Sequence, residues 1–361
     1  MSLTRITGAD AAAALDGFDA IIDARSESEF AEDRLPGAVN WPSLHDDERV
    51  LVGTRHKQIS DFEARRIGAV MVARNIAEHL QRETQDKSRE WRPLVYCWRG
   101  GKRSGTLAWF LDQVGFRVQL LEGGYKAFRR AVTAELALLP KRLELRVVCG
   151  RTGSGKTRLL HALAAAGGQV LDLEGLASHR GSVLGLLPGQ AQPTQKAFET
   201  KVWDVLRRFD PSRPVFVESE SRKIGQLRVP EPLLERMRRE SACLHVEMPQ
   251  AARLQLLLED YAFFADDPEL FCRQLDALVE VRGRETVAAW QAAAREGRWP
   301  EVYAALMEQH YDPMYLKSMQ RNFSGFEQAT PVEVPAGDAA TLRRVALALL
   351  EADAIQSSVT R

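Results

Sequence analysis

The run Cys97-Trp98-Arg99-Gly100-Gly101-Lys102-Arg103-Ser104 gathers one thiol, two glycines, three cations and a hydroxyl. A loop of this composition that runs into a helix start turns several backbone N–H groups toward one point and holds an anion there. Helix N-termini and adjacent cations also favour thiolate over thiol. The expected chemistry is transfer of an anionic or chalcogen-bearing group at Cys97, with Arg99, Gly100, Gly101, Lys102, Arg103 and Ser104 as the anion cradle. Such a role needs the Cys97 side chain within reach of solvent. A structural cysteine at a strand end is the plainer reading, but two glycines and three cations seldom follow one.

A second constellation lies downstream. Gly150-Arg151-Thr152-Gly153-Ser154-Gly155-Lys156-Thr157 fits the phosphate-loop pattern in full, after an apolar run and before a helical one. Glycines let the backbone curl so that amides face phosphate oxygens, Lys156 neutralises a terminal phosphate, and Thr157 is placed to ligate Mg²⁺. Asp172 and Glu174, His179 and Arg180, and Glu218 and Glu220 fall near the ends of later strands and are candidates for substrate or Mg²⁺ contacts. Ligands bind outside the carboxyl ends of such strands. The usual acidic residue after the third strand is Asp, where this chain has Glu. Each of these residues also has a bland reading, as a cap, an ion pair or a satisfied histidine.

The elements that must position these groups read as α/β. Ala20–Asp23, 37–40, 93–97 and 118–121 are short apolar runs that alternate with helical patterns over 60–81 and 104–114. That implies a mostly parallel sheet covered on both faces. A helix through Leu139 meets Pro140, which sets a boundary between domains 1–139 and 140–361. The second domain repeats the pattern, with strands at 143–149, 169–173, 215–218 and 244–246, then helical text from about residue 251 and a last helix over 338–352. Tyr261, Phe263, Phe264 and Phe271 cluster in this region as core or as the wall of an apolar pocket.

Composition narrows the function classes. Of 361 residues, 45 % are hydrophobic and 27 % charged, an ordinary globular profile. Lys+Arg and Asp+Glu are both 49, so bulk charge gives no pull toward nucleic acid and any such contact must use local patches. Two exist, 141–158 and 222–239. The second includes Arg222, Lys223 and Arg228, candidates for backbone contacts to RNA, although solvated helix faces would look the same. Cys97, Cys149, Cys243 and Cys272 form no close pair, which argues against a zinc site and for free thiols in a reducing cytoplasm. Apolar runs are shorter than the roughly 20 residues of a membrane span, and the N-terminus lacks a secretory core. A cytoplasmic chain with no membrane partner is expected, and no metal is assigned to side chains alone.

Resemblances sharpen this reading. Ile21-Ile22-Asp23-Ala24-Arg25, Glu29-Phe30, Leu35-Pro36-Gly37-Ala38-Val39-Asn40 and Leu121-Glu122-Gly123-Gly124-Tyr125 make residues 5–135 resemble a rhodanese domain, whose loop cysteine carries sulfur or selenium; it maps to Cys97. Arg103 stands six residues after the cysteine. That spacing also resembles tyrosine and dual-specificity phosphatases, so a phosphatase or sulfurtransferase fused to a P-loop ATPase or kinase is the alternative. The fusion of a rhodanese-like to a P-loop NTPase-like domain resembles the tRNA 2-selenouridine synthase family. The segments that carry this resemblance are 96–104, Leu171–Ser182 and Val217–Gly225. The resemblance implies S-geranylation of wobble 2-thiouridine in the tRNAs for Lys, Glu and Gln, then replacement of the geranylthio group by selenium. Geranyl diphosphate and selenophosphate would be co-substrates, Mg²⁺ a candidate ion, the anticodon region of tRNA the partner, and a selenophosphate-supplying enzyme a further one. DNA is not implied.

Overall fold

The structure, a computed structural model, describes residues 3–185 and 189–359. It divides into two compact units. One comprises Met1–Leu136 with Pro193–Asp204, the other Ala137–Gln192 with Val205–Arg361.

In the first unit five short strands, β1 (Thr4–Ile6), β2 (Ala20–Asp23), β3 (Ala38–Asn40), β4 (Pro93–Tyr96) and β5 (Gln119–Leu121), form one sheet of order β1-β5-β4-β2-β3. All its pairings are parallel. Strand β4 is buried along its whole length, as a central parallel strand must be. Ile22, Val95 and Leu120 are register partners across β2, β4 and β5, and each is buried. Burying a side chain of this size contributes about 1.5–3 kcal/mol. Helix Lys102–Val114 presents Leu107, Ala108 and Leu111 to this core and ends on Gly115 in the left-handed region.

Some elements depart from the expectations. The short strand β1 and the helix Asp46–Gln58 carry too little apolar periodicity to read; the helix is nearly all polar and exposes Val50 and Leu51. The first unit, expected over 1–139, ends at Leu136 and also takes the segment Pro193–Asp204. That segment holds most of helix Gln195–Leu206, in which Phe198, Val202 and Trp203 are fully buried. Trp203 meets Phe128 edge to face at 5.3 Å and donates to Glu135 at 2.6 Å.

The second unit carries β6 (Leu145–Cys149), β7 (Gln169–Leu171), β8 (Val215–Glu218), the two-stranded antiparallel hairpin β9 (Lys223–Ile224) and β10 (Leu227–Arg228), β11 (Ala242–Glu247) and β12 (Thr330–Glu333). The main sheet has order β12-β11-β6-β8-β7 and is parallel throughout. The run expected as a strand to 173 stops at Leu171 because Asp172 caps helix Leu173–Ala177 by accepting from Gly175 N–H at 2.7 Å. Helices from Gln250 to Asn322 bury Tyr261, Phe264, Phe271, Trp290, Tyr303 and Leu306 in a core of their own, so the aromatic cluster is mainly core. Among the described residues no helix is long and apolar enough to cross a membrane.

Candidate functional site

In the first unit the chain leaves β4 directly into Cys97 and turns onto helix Lys102–Val114. Two backbone bonds fix the turn: Tyr125 N–H donates to Cys97 O at 2.8 Å and Lys126 N–H to Trp98 O at 3.2 Å. The closing segment Gly123-Gly124 therefore lies against the loop. A Cβ on Gly124 would sit 2.2 Å from Cys97 O and 2.4 Å from Gly100 N, and Gly124 has φ +58°. Only glycine satisfies both the contact and the backbone. The Ser104 hydroxyl is fully buried and donates to Cys97 Sγ at 3.1 Å. Cys97 itself is 3 % exposed. The thiol is therefore covered by its own loop, where the expectation was a side chain open to solvent.

The three cations of the loop separate. Arg99 and Lys102 are exposed. Arg103 is half-buried and donates to both oxygens of Glu29, at 2.6 and 3.3 Å. Burial opposes the charge on both partners, but their bond and mutual attraction prevail, holding Arg103 above and Glu29 below their usual ranges. Beneath them lies a buried network. Arg25, 1 % exposed, forks onto Asp23 and donates to Asp33 O at 2.6 Å. Asp33 Oδ2 accepts from Tyr125 at 2.7 Å and from Thr200 at 2.9 Å. Glu29, Asp33 and Thr200 are site residues that sequence reasoning did not single out; the first two lie in or beside the opening motif, while nothing near Thr200 marks it.

In the second unit β6 ends at Cys149 and Gly150–Thr157 wraps onto helix Lys156–Ala165. Gly153 and Gly155 both have φ +76°. A Cβ on Gly153 would lie 2.9 Å from Arg253 O and 3.0 Å from Leu257, so helix Gln250–Asp260 packs directly on the loop. Lys156 Nζ donates to the carbonyls of Gly150 at 2.7 Å and Arg151 at 3.2 Å. Desolvation pulls its pKa down against the attraction of Glu174 and Glu220. Ser154 Oγ is buried without a hydrogen-bond partner. Arg253, 4 % exposed, donates twice to Thr152 O and twice to Asp312. Neither Arg253 nor Asp312 carries a sequence signal, since each sits in ordinary helical text.

Three carboxyls gather at the adjoining strand end. Thr157 Oγ1 donates to Glu174 at 3.1 Å, and Glu174 N–H donates to Glu218 at 2.7 Å. A Cβ on Gly181 would fall 2.8 Å from Glu174 Oε1 and 2.9 Å from Glu220 Oε1, so both carboxyls face the 179–182 loop. Burial, then Glu220, raises Glu218 well above the carboxylate range. Burial, then Glu174, pushes Glu220 to about 8. Burial also raises Glu174, against the pull of Lys156 and Thr157. Glu218 Oε2 is buried without a partner. Among the described residues no group of three or more His, Cys, Asp or Glu is arranged to hold a metal ion.

The other candidates have different places. Asp172 caps a helix and meets His161 at 2.9 Å. His179 is buried, its pKa lowered by desolvation, and its Nδ1 accepts from Gly181 N–H at 3.1 Å. Arg180 donates to Asp260 O at 2.5 Å and lies over Tyr261. Arg222, Lys223 and Arg228 are exposed on or beside the β9–β10 hairpin, Arg222 paired with Glu231 at 3.1 Å. In the 141–158 stretch, Arg146, Arg151 and Arg158 each have an acidic partner. The four cysteines are free.

Comparison with known proteins agrees with this layout. The family profile described as tRNA 2-selenouridine synthase AAA domain matches residues 143–278, and that of the rhodanese-like domain matches 7–131. The tRNA 2-selenouridine synthase of Nitrosomonas europaea is 38 % identical over 67 % of this chain, an alignment spanning 63 % of its own length. Those of Sulfurovum sp. and Aeromonas salmonicida are 30 % and 34 % identical over 84 % and 82 % of this chain, covering 90 % and 86 % of theirs. With a rhodanese-like sheet bearing Cys97 and a P-loop sheet bearing Lys156 in one chain, it belongs to the tRNA 2-selenouridine synthase family.

Proposed function

We propose that this chain converts wobble 2-thiouridine to 2-selenouridine in the tRNAs for Lys, Glu and Gln, in two steps. In the first, the C–O bond of geranyl diphosphate breaks as a C–S bond forms to the thiouridine sulfur, N3 loses its proton, and diphosphate leaves. In the second, selenium of selenophosphate bonds to C2 of the ring, geranylthiol departs, and hydrolysis of the Se–P bond releases phosphate. Alkylation turns sulfur into a good leaving group, and displacement needs a polarisable nucleophile held close by. Cys97 is the selenium carrier or nucleophile, a role that requires the loop covering its thiol to part, with loop 97–104 holding the donor phosphate. Loop 150–157 holds the diphosphate. Arg222, Lys223 and Arg228 are offered to the tRNA backbone. The setting is cytoplasmic, alongside an enzyme that supplies selenophosphate.

The observation that supports this reading most is the pairing in one chain of a cysteine at a strand-to-helix turn with a phosphate loop flanked by Glu174, Glu218 and Glu220. A diphosphate would offer Lys156 and the buried Ser154 hydroxyl better partners than the loop's own carbonyls. Mg²⁺ fits the donor chemistry here, because Thr157 and Glu174 are hard oxygen ligands and this ion takes only one or two protein ligands beside phosphate. Bound there, it would neutralise charge on the leaving diphosphate.

Nucleoside mass spectrometry tests the proposal. Thiolated tRNA is incubated with the protein and geranyl diphosphate, then with selenophosphate. Geranylated thiouridine should form first and selenouridine second. Absence of both products with folded protein refutes it.

A further inference from the structure

We propose that the cleft beside the Cys97 loop receives the reacting pyrimidine ring, with Trp98 as its stacking face. This rests on the role given above to Cys97. The cleft is lined by Ser28, Glu29, Glu32, Arg49, Trp98 and Arg103. Trp98 directly follows Cys97, so a ring lying on its indole is delivered beside the chalcogen-bearing residue.

The indole is braced before any ligand arrives. It stacks on Tyr125 with centroids 5.3 Å apart and planes 25° apart. Tyr125 is held in turn by its hydroxyl, which donates to Asp33 at 2.7 Å, and by Arg25, whose guanidinium lies 4.3 Å from its ring centroid. Trp98 is half-buried and still lines the cleft, so one face serves Tyr125 while the indole also borders open space. A fixed aromatic platform loses little entropy on binding, and unstacked bases of single-stranded loops are captured on such platforms.

The rim suits the edge of a uracil-type ring. In 2-thiouridine that edge carries the N3–H donor and the O4 acceptor; once the sulfur is alkylated N3 has lost its proton, and both atoms accept. Arg49 and Arg103 only donate, and those of their N–H groups not taken by Glu29 suit these acceptors. A phosphate alone would need the cations but no aromatic wall. An apolar prenyl chain would find the rim too polar.

The test uses the full chain and two anticodon stem–loop RNAs, one with 2-thiouridine at the wobble position and one abasic there. Affinities are read by fluorescence anisotropy. Wild type should prefer the base-bearing RNA by about 5- to 100-fold, the range expected for one stacked base. Trp98→Ala should abolish that preference while leaving affinity for the abasic RNA unchanged, and Trp98→Phe should keep most of it. In turnover, Trp98→Ala should raise KM with little change in kcat. A wild-type preference retained in Trp98→Ala overturns the proposal. So does equal loss in Trp98→Phe and Trp98→Ala for both RNAs, which marks a purely structural indole. Base preference in wild type without selenouridine formation would instead uphold the cleft and refute the reading of Cys97.

Discussion

Asp312→Ala is the sharpest probe of the phosphate loop. Arg253 is 4 % exposed and spends its guanidinium on two acceptors, Thr152 O at 3.0 and 2.8 Å and Asp312 at 2.9 and 2.6 Å. Removing the carboxylate leaves a buried charge with one partner. Breaking a buried pair costs about 3–5 kcal/mol. Asp312 is 18 % exposed and the Thr152 bonds survive, so water and the carbonyl recover part of that. The expected loss is about 2–3 kcal/mol, or about 4–12 °C in Tm for a unit of roughly 200 residues. A double-mutant cycle separates stability from positioning. Arg253→Met with Asp312→Leu removes both charges and should regain most of the stability. Thr152 O then has no tether, so affinity for diphosphate, read by isothermal titration, should stay at least about tenfold weak, near 1.4 kcal/mol. An Asp312→Ala protein that melts with wild type refutes the energetic argument. A double variant that regains affinity as well as stability refutes the positioning role.

Cys97→Ser should block selenium incorporation and leave S-geranylation largely intact; equal loss of both steps in folded protein would contradict the division of labour proposed above. Lys156→Ala should weaken geranyl diphosphate binding by about 10- to 100-fold, as for loss of one charged hydrogen bond, and unchanged affinity by titration would remove the ligand from that loop. Gly124→Ala forces a Cβ to 2.2 Å from Cys97 O at φ +58°; overpacking and left-handed strain together should cost about 2–5 kcal/mol in urea unfolding, and a neutral result would mean the loop yields freely. Glu220 titrates near 8 when folded, above the ordinary carboxyl value near 4.3. Between those values the folded state holds the extra proton, so stability falls as pH rises through that window and levels off above it. Urea unfolding at pH 5 and pH 8 without divalent cations should show a smaller fall for Glu220→Gln than for wild type; parallel falls would count against it.

What the sequence made legible was local and repetitive. Strand β4, the helix after Cys97 and the strand–loop–helix at Gly150 each carry apolar spacing and glycines at fixed offsets, which a single chain displays directly. Glu218 was legible by position alone, as the acid that closes an apolar run. Its raised pKa was not, because that follows first from burial and then from Glu220, Asp172 and Glu174 gathering beside it. Arg253 and Asp312 look like any charged pair on amphipathic helices, and only packing shows that they hold Thr152. The covered state of Cys97 was equally invisible. It depends on Gly124 closing over the loop from more than twenty residues downstream. Helix Gln195–Leu206 gives the clearest case, since no local signal says which sheet a helix will join.

That helix sets a schedule for the newborn chain. Phe128 and Asp33 wait for Trp203 and Thr200, which are made only after the whole of β6 and the phosphate loop. At ordinary translation speeds the first unit stays incomplete for roughly 3–13 s after residue 139 is joined. The first unit is therefore complete only once Asp204 has been added, and a gene cut after residue 139 would yield an amino-terminal fragment with an unclosed seam.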